Sequence, residues 1–195
     1  MDQREAWDLV YRKQGRAWRG VSDTVFPFRP GDRVLDIGCG NGKTSAALIA
    51  SGFKVTGVDF SEEAVRRCSE HVPEMRCVCA SAMSLPFGNG EFDGVVMNHI
   101  LEHLADDEAE AAVSEAARVL RSGGTVFMRS FSRDDMRSPA EGTEIKGNGV
   151  RYRYFTENEI KELFRGLSVV SLSTITQTTK FGGVRSRVEG VFVKT

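Results

Sequence analysis

The sequence predicts an α/β protein with a doubly wound, seven-stranded and mostly parallel sheet that carries helices on both faces. Three observations support this prediction. From Arg33 onward, patterns typical of strands and of helices alternate along the chain, as they do in parallel sheets. Residues 34–42 form an apolar run that ends in alternate glycines and leads into a helical pattern over 43–50. Residues 92–99 have an unbroken apolar centre, Gly94-Val95-Val96-Met97, which is typical of a strand buried on both faces.

The other elements follow from hydrophobic periodicity and from helix start and stop residues. Further strands are predicted at 54–59, 75–80, 125–130, about 168–176 and about 185–193. Helices are predicted at 61–71, after a cap at Asp106 or Asp107, and after the capping box at 156–159. Gly182 and Gly183 lie near the turn between the last two strands, so we expect a hairpin and an antiparallel last strand. Because no repeat or break in composition interrupts the chain, residues 1–195 are expected to form a single domain.

The composition is typical of a soluble globular protein. Of the 195 residues, 41% are hydrophobic and 27% are charged, and the formal net charge is −1. No stretch approaches the roughly 20 apolar residues of a membrane span, and the polar start of the chain does not resemble a signal peptide. The four cysteines lack the paired spacing of a zinc site. We therefore expect a cytoplasmic protein without a structural metal or a membrane partner.

The glycine run after the first strand predicts a ligand site. Backbone without side chains can approach a ligand closely, and the N–H groups at the start of the next helix point toward it. The pattern is Gly38-x-Gly40-x-Gly42, preceded by Asp36. A dinucleotide-binding fingerprint would need a third glycine where Lys43 stands, and Asp36 would repel a pyrophosphate. An ammonium or sulfonium ligand suits this carboxylate better, so a nicotinamide cofactor is disfavoured.

Asp59 ends the second predicted strand, about twenty residues after the first glycines. In doubly wound folds an acid at this place accepts hydrogen bonds from a ribose diol. The alternative is that Asp59 only begins the next helix, because Ser61-Glu62-Glu63 is typical of a helix N-terminus. Its pairing with the glycine loop favours the ribose role.

These two motifs resemble those of the class I S-adenosylmethionine (SAM)-dependent methyltransferases, in particular the type 11, ubiquinone-biosynthesis-like subgroup. Further strings in the family's order extend the resemblance over nearly the whole chain: Leu85-Pro86-Phe87 before 91–96, Leu101-Glu102-His103-Leu104, the segment 118–124, and the segment 154–160. The resemblance implies a Rossmann-like methyltransferase fold, SAM as cofactor, and methyl transfer to an acceptor by in-line displacement.

The resemblance also implies a set of cofactor-binding residues. Gly38, Gly40 and Asp36 are expected against the methionine moiety, and Phe60 against the adenine. Where the family often has an acid after the third strand, this chain has Ser81 followed by Ala82, so a hydroxyl takes the place of the carboxylate. Asn98, at the end of the fourth strand, is expected to face the ligand crevice.

Two further parts of the site are expected from the same resemblance. The N-terminal segment, a helical cap within residues 1–30, folds over the cofactor in related enzymes, and Tyr11, Arg16 and Trp18 would close the pocket. The alternative is an amphipathic helix that only covers a sheet face. His99 is the candidate general base, with a role as pocket wall as the alternative, and His103 is expected to be structural or to line the pocket.

Residues 131–155 form the longest connection without strong periodicity, and long connections in compact domains are often functional. We expect this segment to be a mobile substrate lid. Its many charged residues, among them Arg151 and Arg153, favour a polar or anionic acceptor over a lipid quinone.

The leading functional hypothesis is therefore a SAM-dependent methyltransferase that acts on a small polar molecule. A tRNA methyltransferase for modified wobble uridine, working with a partner subunit, is an alternative, because such enzymes share the loop at 38–43. The near-neutral charge does not favour nucleic acid. A catalytically silent SAM-binding domain is a third possibility. The identity of the acceptor and the oligomeric state stay open.

Overall fold

The computed structural model describes residues 2–13 and 24–195, and all structural statements below concern those residues. The helices are α1 (Gln3–Lys13), α2 (Lys43–Ala50), α3 (Glu62–His71), α4 (Asp106–Val119) and α5 (Glu157–Leu163), with a short 3₁₀ turn at Leu101–His103. The strands are β1 (Arg33–Ile37), β2 (Lys54–Asp59), β3 (Arg76–Cys79), β4 (Phe92–Asn98), β5 (Leu120–Phe131), β6 (Thr143–Ile145), β7 (Arg151–Arg153), β8 (Ser168–Thr178) and β9 (Val184–Val193).

Seven of these strands form one sheet in the order β3-β2-β1-β4-β5-β9-β8. Strands β1 to β5 pair in parallel, whereas β9 is antiparallel to both of its neighbours. The predicted fold class is confirmed, including the antiparallel last strand. The chain leaves β1 toward β2 on one side and later returns to β4 on the other side. The crevice at the carboxyl ends of β1 and β4 is therefore the place where such folds bind ligands.

The central strands are buried on both faces, as their continuous apolar sequence predicts. In β1, Val34 packs with Leu48 of α2 and with Phe53 on one face, whereas Leu35 packs on the other face in the larger core that contains α4 and α5. Each fully buried side chain of this size contributes about 1.5–3 kcal/mol to folding. The two cores hold the sheet rigid beneath the crevice. Every described helix is too short or too polar to span a membrane.

The segment 131–155 differs from the irregular connection that its sequence suggested. It contains the antiparallel pair β6–β7, and Val150, Tyr154 and Phe155 are at most 1% exposed. Asp135 is also buried and pairs with arginine side chains. Apolar side chains and a buried ion pair therefore anchor this segment to the rest of the fold. Around β7, Val150, Tyr152 and Tyr154 alternate with Arg151 and Arg153 at the two-residue period of a strand. This signal spans only five residues, and the sequence analysis missed it.

Candidate functional site

A cavity of about 270 Å³ lies at the carboxyl ends of β1, β2 and β4, beneath α1. It brings together seven of the residues predicted from the sequence: Tyr11, Gly38, Asp59, Phe60, Ser81, Ala82 and His99. Its wall also contains residues that sequence reasoning did not assign to the site, among them Arg4, Trp7, Ile37, Ile100, Leu104 and Glu108. Elements that are far apart in the chain therefore converge on the predicted crevice.

The glycine loop needs glycine for conformation and for space. Gly38 and Gly40 have φ values of 74° and 55°, in the left-handed region that residues with a Cβ rarely adopt. The N–H of Gly38 donates to the carbonyl oxygen of Val58, which ties the loop to β2. A Cβ atom on Gly40 would lie 2.7 Å from the Tyr11 hydroxyl oxygen. The loop thus allows α1 to approach the sheet edge closely.

Asp59 is both a structural and a cavity-lining residue. Its Oδ2 accepts a hydrogen bond from the Gly40 N–H at 3.0 Å, and its Oδ1 accepts one from the Ser61 N–H at 2.9 Å. Burial, and to a smaller extent the charge of Asp8, raise the pKa of this carboxyl to about 6. The α3 cap is Ser61, whose hydroxyl accepts from the Ala64 N–H. Each Asp59 oxygen keeps a lone pair with which it could accept a ligand hydroxyl.

Asp36 lies outside the cavity wall, although it was expected beside the cofactor. It is 1% exposed, and its Oδ2 accepts a 2.5 Å hydrogen bond from the Ser45 hydroxyl in α2. Burial is the main reason that the pKa of Asp36 rises to about 7, and the charge of Asp59 adds to this rise. Gly40 is likewise absent from the wall and faces Tyr11 instead.

Asn98 does not line the cavity either. Its side-chain amide donates to Thr44 Oγ1 at 3.0 Å, and within the described chain its buried Oδ1 has no hydrogen-bond partner. Successive residues at a strand end point to opposite faces, so Asn98 faces α2 while His99 faces the cavity. The sequence located the strand end correctly but did not reveal this alternation relative to the cavity.

The loop after β3 and the start of α1 form the opposite wall. Ser81 lines the cavity, and its hydroxyl accepts from the Met83 N–H at 3.2 Å, so one of its lone pairs is already used. The Arg4 guanidinium lies 6.0 Å from the centroid of the Phe60 ring. Phe60 and Ala82 complete this wall with apolar surface.

Helix α1 closes over the cavity with one face. Arg4, Trp7 and Tyr11 all line it, at the three- and four-residue spacing of a helix face. This spacing is the signal that could have identified Arg4 and Trp7 from the sequence. Burial, followed by the charge of Asp59, raises the pKa of Tyr11 well above its usual value. The predicted residues Arg16 and Trp18 lie outside the described residues.

His99 has a backbone and side-chain geometry unusual for a residue at a strand end. Its φ is 59°, the one positive value among the described non-glycine residues. Its Nδ1 lies 2.7 Å from Oε1 of Glu102, which is fully buried, and Glu102 Oε2 accepts from the Ser130 hydroxyl at 2.7 Å. Sequence reasoning missed Glu102, although its three-residue spacing from His99 was a usable signal. Strain of this kind is often found at functional sites.

His103 is a second histidine in the cavity wall. Its Nδ1 lies 2.7 Å from the carbonyl oxygen of Arg151, and its ring packs edge-on against Trp7 and Tyr152. Burial lowers its pKa. These contacts join α1, the 3₁₀ turn and β7 in one cluster, as expected of a structural and cavity-lining residue.

Comparisons with known proteins agree with this geometry. A family model described as a methyltransferase domain matches residues 34–124, the part from β1 into β5 that carries the glycine loop, Asp59 and His99. A demethylmenaquinone methyltransferase of Beutenbergia cavernae is 35% identical over 125 residues, which cover 64% of this chain and 51% of the relative. A tRNA N(3)-cytidine methyltransferase of Homo sapiens is 29% identical over 153 residues, which cover 68% and 40%. The chain thus spans about half of the length of the curated relatives it matches, or less.

The fold has been observed before. A crystal structure of a SAM-dependent methyltransferase from Methanosarcina mazei superposes with a TM-score of 0.77, covers 87% of this chain and 98% of the other, and is 23% identical in sequence. At this identity the similarity establishes the shared architecture.

Proposed function

The chain belongs to the class I SAM-dependent methyltransferases, and from this membership we propose that it transfers a methyl group from SAM to a small polar acceptor. The observation that carries the proposal is the single cavity that joins the glycine loop, Asp59 and His99 beneath α1. The reaction is an in-line displacement, in which the acceptor attacks the methyl group and the sulfur of the neutral thioether product leaves. The protein has to align the two reactants and exclude water.

In this proposal Gly38 lies against the methionine moiety and Asp59 accepts hydrogen bonds from the ribose. Gly40, which is absent from the cavity wall, supports the site through the hydrogen bond from its N–H to Asp59. Phe60, Ser81 and Ala82 border the adenine, and Tyr11 closes the cavity from α1. Two polar groups act at longer range on the positive charges of SAM. They are the carboxylate of Asp36, which is buried behind the loop, and the Oδ1 atom of Asn98, which has no hydrogen-bond partner among the described residues. Arg16 and Trp18 stay predictions from the family resemblance.

The acceptor is proposed to bind on the far side of His99, toward residues 131–155. The His99 ring lies 4.9 Å from that of Phe131, which in turn stacks near Tyr152 at 6.3 Å. Arg137 lies 4.4 Å from the Phe131 ring and Lys146 lies 4.3 Å from the Tyr152 ring. Rings bordered by cations suit a small, flat and polar or anionic acceptor.

The two arginines expected to bind the acceptor differ in their contacts. Arg153 pairs with Asp106 and Glu159 and lies over the Phe155 ring. Its charge is therefore used within the protein, and we assign it a structural role and not acceptor binding. Arg151 has a buried Nε without a hydrogen-bond partner among the described residues and stays a candidate. Arg151→Ala should raise the KM of the acceptor, whereas Arg153→Ala should lower thermal stability and leave that KM unchanged.

A tRNA acceptor is the second candidate, favoured by the similarity to the human tRNA enzyme. The basic residues of the C-terminal hairpin give it limited support. Arg185 pairs with Asp135, and Arg187 pairs with Glu189, so part of that positive charge is neutralised. Retention of the protein on tRNA that weakens with a steep slope as salt increases would favour this candidate.

The test has two stages. Isothermal calorimetry with SAM, with its demethylated product S-adenosylhomocysteine and with NAD should give binding of the first two and none of NAD. NAD that binds more tightly than SAM would overturn the proposal. Labelled SAM added to metabolite and RNA extracts then identifies the pool that gains the methyl group. Tight SAM binding without labelling of any pool would indicate a catalytically silent domain.

A further inference from the structure

We infer that Glu102 is a positioning residue that holds His99 as its Nδ1–H tautomer and thereby leaves His99 Nε2 free to accept a proton from the acceptor. The inference rests on the proposed methyl transfer and adds a substrate class to it, namely acceptors that react through a hydroxyl group. His99 lines the cavity, whereas Glu102 is shielded from solvent behind it.

The contacts of the carboxylate determine which proton the imidazole carries. Glu102 Oε1 lies 2.7 Å from His99 Nδ1, and an ionised carboxylate only accepts hydrogen bonds, so Nδ1 must be the donor. The other oxygen accepts from the Ser130 hydroxyl at 2.7 Å. Both oxygens are thus held, one by His99 directly after β4 and one by Ser130 of β5, which fixes the orientation of the carboxylate toward His99.

The environment keeps Glu102 ionised. Although burial alone would raise its pKa, His99, His103 and Ser130 together place that pKa below its ordinary value. A wholly buried carboxylate is costly unless it is paired and hydrogen-bonded. Its ion-pair partner in the described part of the chain is His99, which is 38% exposed on its side chain. A buried charge directed at a half-exposed imidazole is the arrangement that orients a general base.

The backbone and neighbouring rings fix His99 further. Its N–H donates to the carbonyl oxygen of Arg129 at 2.8 Å, which holds the residue at its φ of 59°. Phe131 packs against the ring at 4.9 Å between centroids. Other charged or titratable groups near this cluster are His103, Lys146, Arg137 and Tyr152. His103 cannot replace His99 in its contact with Glu102, because its own Nδ1 faces the Arg151 carbonyl oxygen.

The acceptor oxygen attacks the methyl carbon, the C–O bond forms, and the C–S bond breaks with its electron pair passing to sulfur. The hydroxyl proton moves to His99 Nε2 and produces an imidazolium facing the Glu102 carboxylate. Because His99 is partly exposed, the proton can then pass to solvent. A thiolate or a carboxylate acceptor would not need this base, so the arrangement favours a hydroxyl.

The tautomer can be measured on the protein itself by nitrogen NMR of ¹⁵N-histidine-labelled samples with S-adenosylhomocysteine bound. The chain has three histidines, His71, His99 and His103, which single substitutions assign. In mildly alkaline buffer, His99 is expected to carry its proton on Nδ1 and none on Nε2. A proton on Nε2 of the unsubstituted protein would overturn the inference without any variant.

Glu102→Gln provides the matched comparison. Ser130 donates to the side chain at position 102, so the glutamine amide should direct its oxygen to Ser130 and its NH₂ to Nδ1. His99 should then change to the Nε2–H tautomer. Glu91→Gln, the same substitution at a half-buried site whose carboxylate accepts from the Gly88 N–H, should leave the tautomer unchanged. An unchanged tautomer in Glu102→Gln, with a folded NMR spectrum, would contradict the inference.

Kinetics with the labelled acceptor complete the test. Glu102→Gln and His99→Gln should each lower kcat by about 10²–10⁴-fold with the SAM dissociation constant retained, and the double variant should lose no more than the worse single variant. Full kcat in Glu102→Gln would overturn the inference. If the unsubstituted protein does not bind SAM, the proposed function is overturned instead. The tautomer of His99 can still be measured on the ligand-free protein in that case.

Discussion

Asp59 Oδ2 accepts a 3.0 Å hydrogen bond from the N–H of Gly40, which lies nineteen residues earlier in the chain. This bond joins the acid at the end of β2 to the glycine loop at the end of β1. The two motifs that the sequence placed apart therefore act as one unit, because the same carboxylate holds the loop and faces the cavity. A ligand that binds Asp59 would also stabilise the loop.

Replacing Asp59 tests this unit. Asp59→Ala removes an ionised acceptor for the ribose hydroxyls and frees the loop, so SAM affinity should fall by about 1.5–3 kcal/mol, which is about tenfold or more. Calorimetric titration with SAM measures the effect. Glu62→Ala removes an exposed acid at the start of α3 and serves as the control, with affinity unchanged. An unchanged dissociation constant in Asp59→Ala would restrict Asp59 to its structural role.

SAM binding should weaken as the solution becomes acidic. The pKa of Asp59 in the empty protein is raised to about 6, and the ionised form is the better acceptor for the ribose. Below that pH the ligand must displace a proton, so the dissociation constant should rise by up to about tenfold per pH unit. Calorimetry in two buffers of different ionisation enthalpy detects the released proton. Glu62→Ala, which removes an exposed acid outside the cavity, should keep this dependence, and Asp59→Ala should lose most of it.

Gly40→Ala should disturb both folding and binding. The new Cβ would lie 2.7 Å from the Tyr11 hydroxyl, in addition to the cost of about 1–2 kcal/mol for a side chain at positive φ. Gly52→Ala is the matched control, since Gly52 has a φ of 88° and, apart from its two chain neighbours, no described residue has a heavy atom within 4 Å of the added Cβ. Urea unfolding should show a larger loss for Gly40→Ala. Adding Tyr11→Phe should recover part of the difference. Equal losses of unfolding free energy in the two alanine variants would contradict the prediction, because α1 would then move away from the new Cβ without loss of stability.

The contribution of Asp36 to the stability of the ligand-free protein should decrease as the pH rises from about 4 to 7. Burial raises the pKa of Asp36 from its ordinary value of 3.8 to about 7 in the folded protein. Between these two pH values the folded state therefore holds a proton that the unfolded state has released. The contribution of Asp36 to the free energy of unfolding should therefore fall by at most about 1.4 kcal/mol per pH unit between about pH 4 and 7. Asp36→Asn keeps an acceptor for Ser45 and removes the charge. In urea unfolding its stability relative to the unsubstituted protein should be higher at pH 8 than at pH 5, and a constant difference would contradict the prediction.

Hydrogen exchange should divide residues 131–155 into two parts. The N–H groups of Tyr154 and Phe155 donate to Gly142 and Phe131 within buried surroundings and should exchange slowly without ligand. The exposed turn at Gly147 and Asn148 should exchange quickly and become protected only when cofactor and acceptor bind, if it is the lid. Fast exchange at Tyr154 would restore the expectation that the whole segment is mobile. A turn unaffected by ligands would remove the lid.

Much of the site followed from local patterns. A glycine that must adopt positive φ and an acid at a strand end can be recognised from the sequence, and Gly38 and Asp59 both line the cavity. The sequence did not show which way Asn98 faces, because a shift of one residue at a strand end reverses the face. It also gave no indication that Asp36 pairs with Ser45 rather than lining the cavity. Both side chains contact α2, and which strand residues face that helix depends on how it packs against the sheet.

By itself, the sequence determined the order of the elements, the parallel sheet and the place of the glycine loop, because hydrophobic period and turn residues act over a few neighbours. Only the tertiary structure decided that the helix face with Arg4 and Trp7 turns toward the cavity, that Arg153 is paired elsewhere, and that Ser130 holds Glu102. These contacts connect α1, β5 and the 3₁₀ turn across the molecule. They depend on burial, which selects partners by distance in space and leaves no period in the chain.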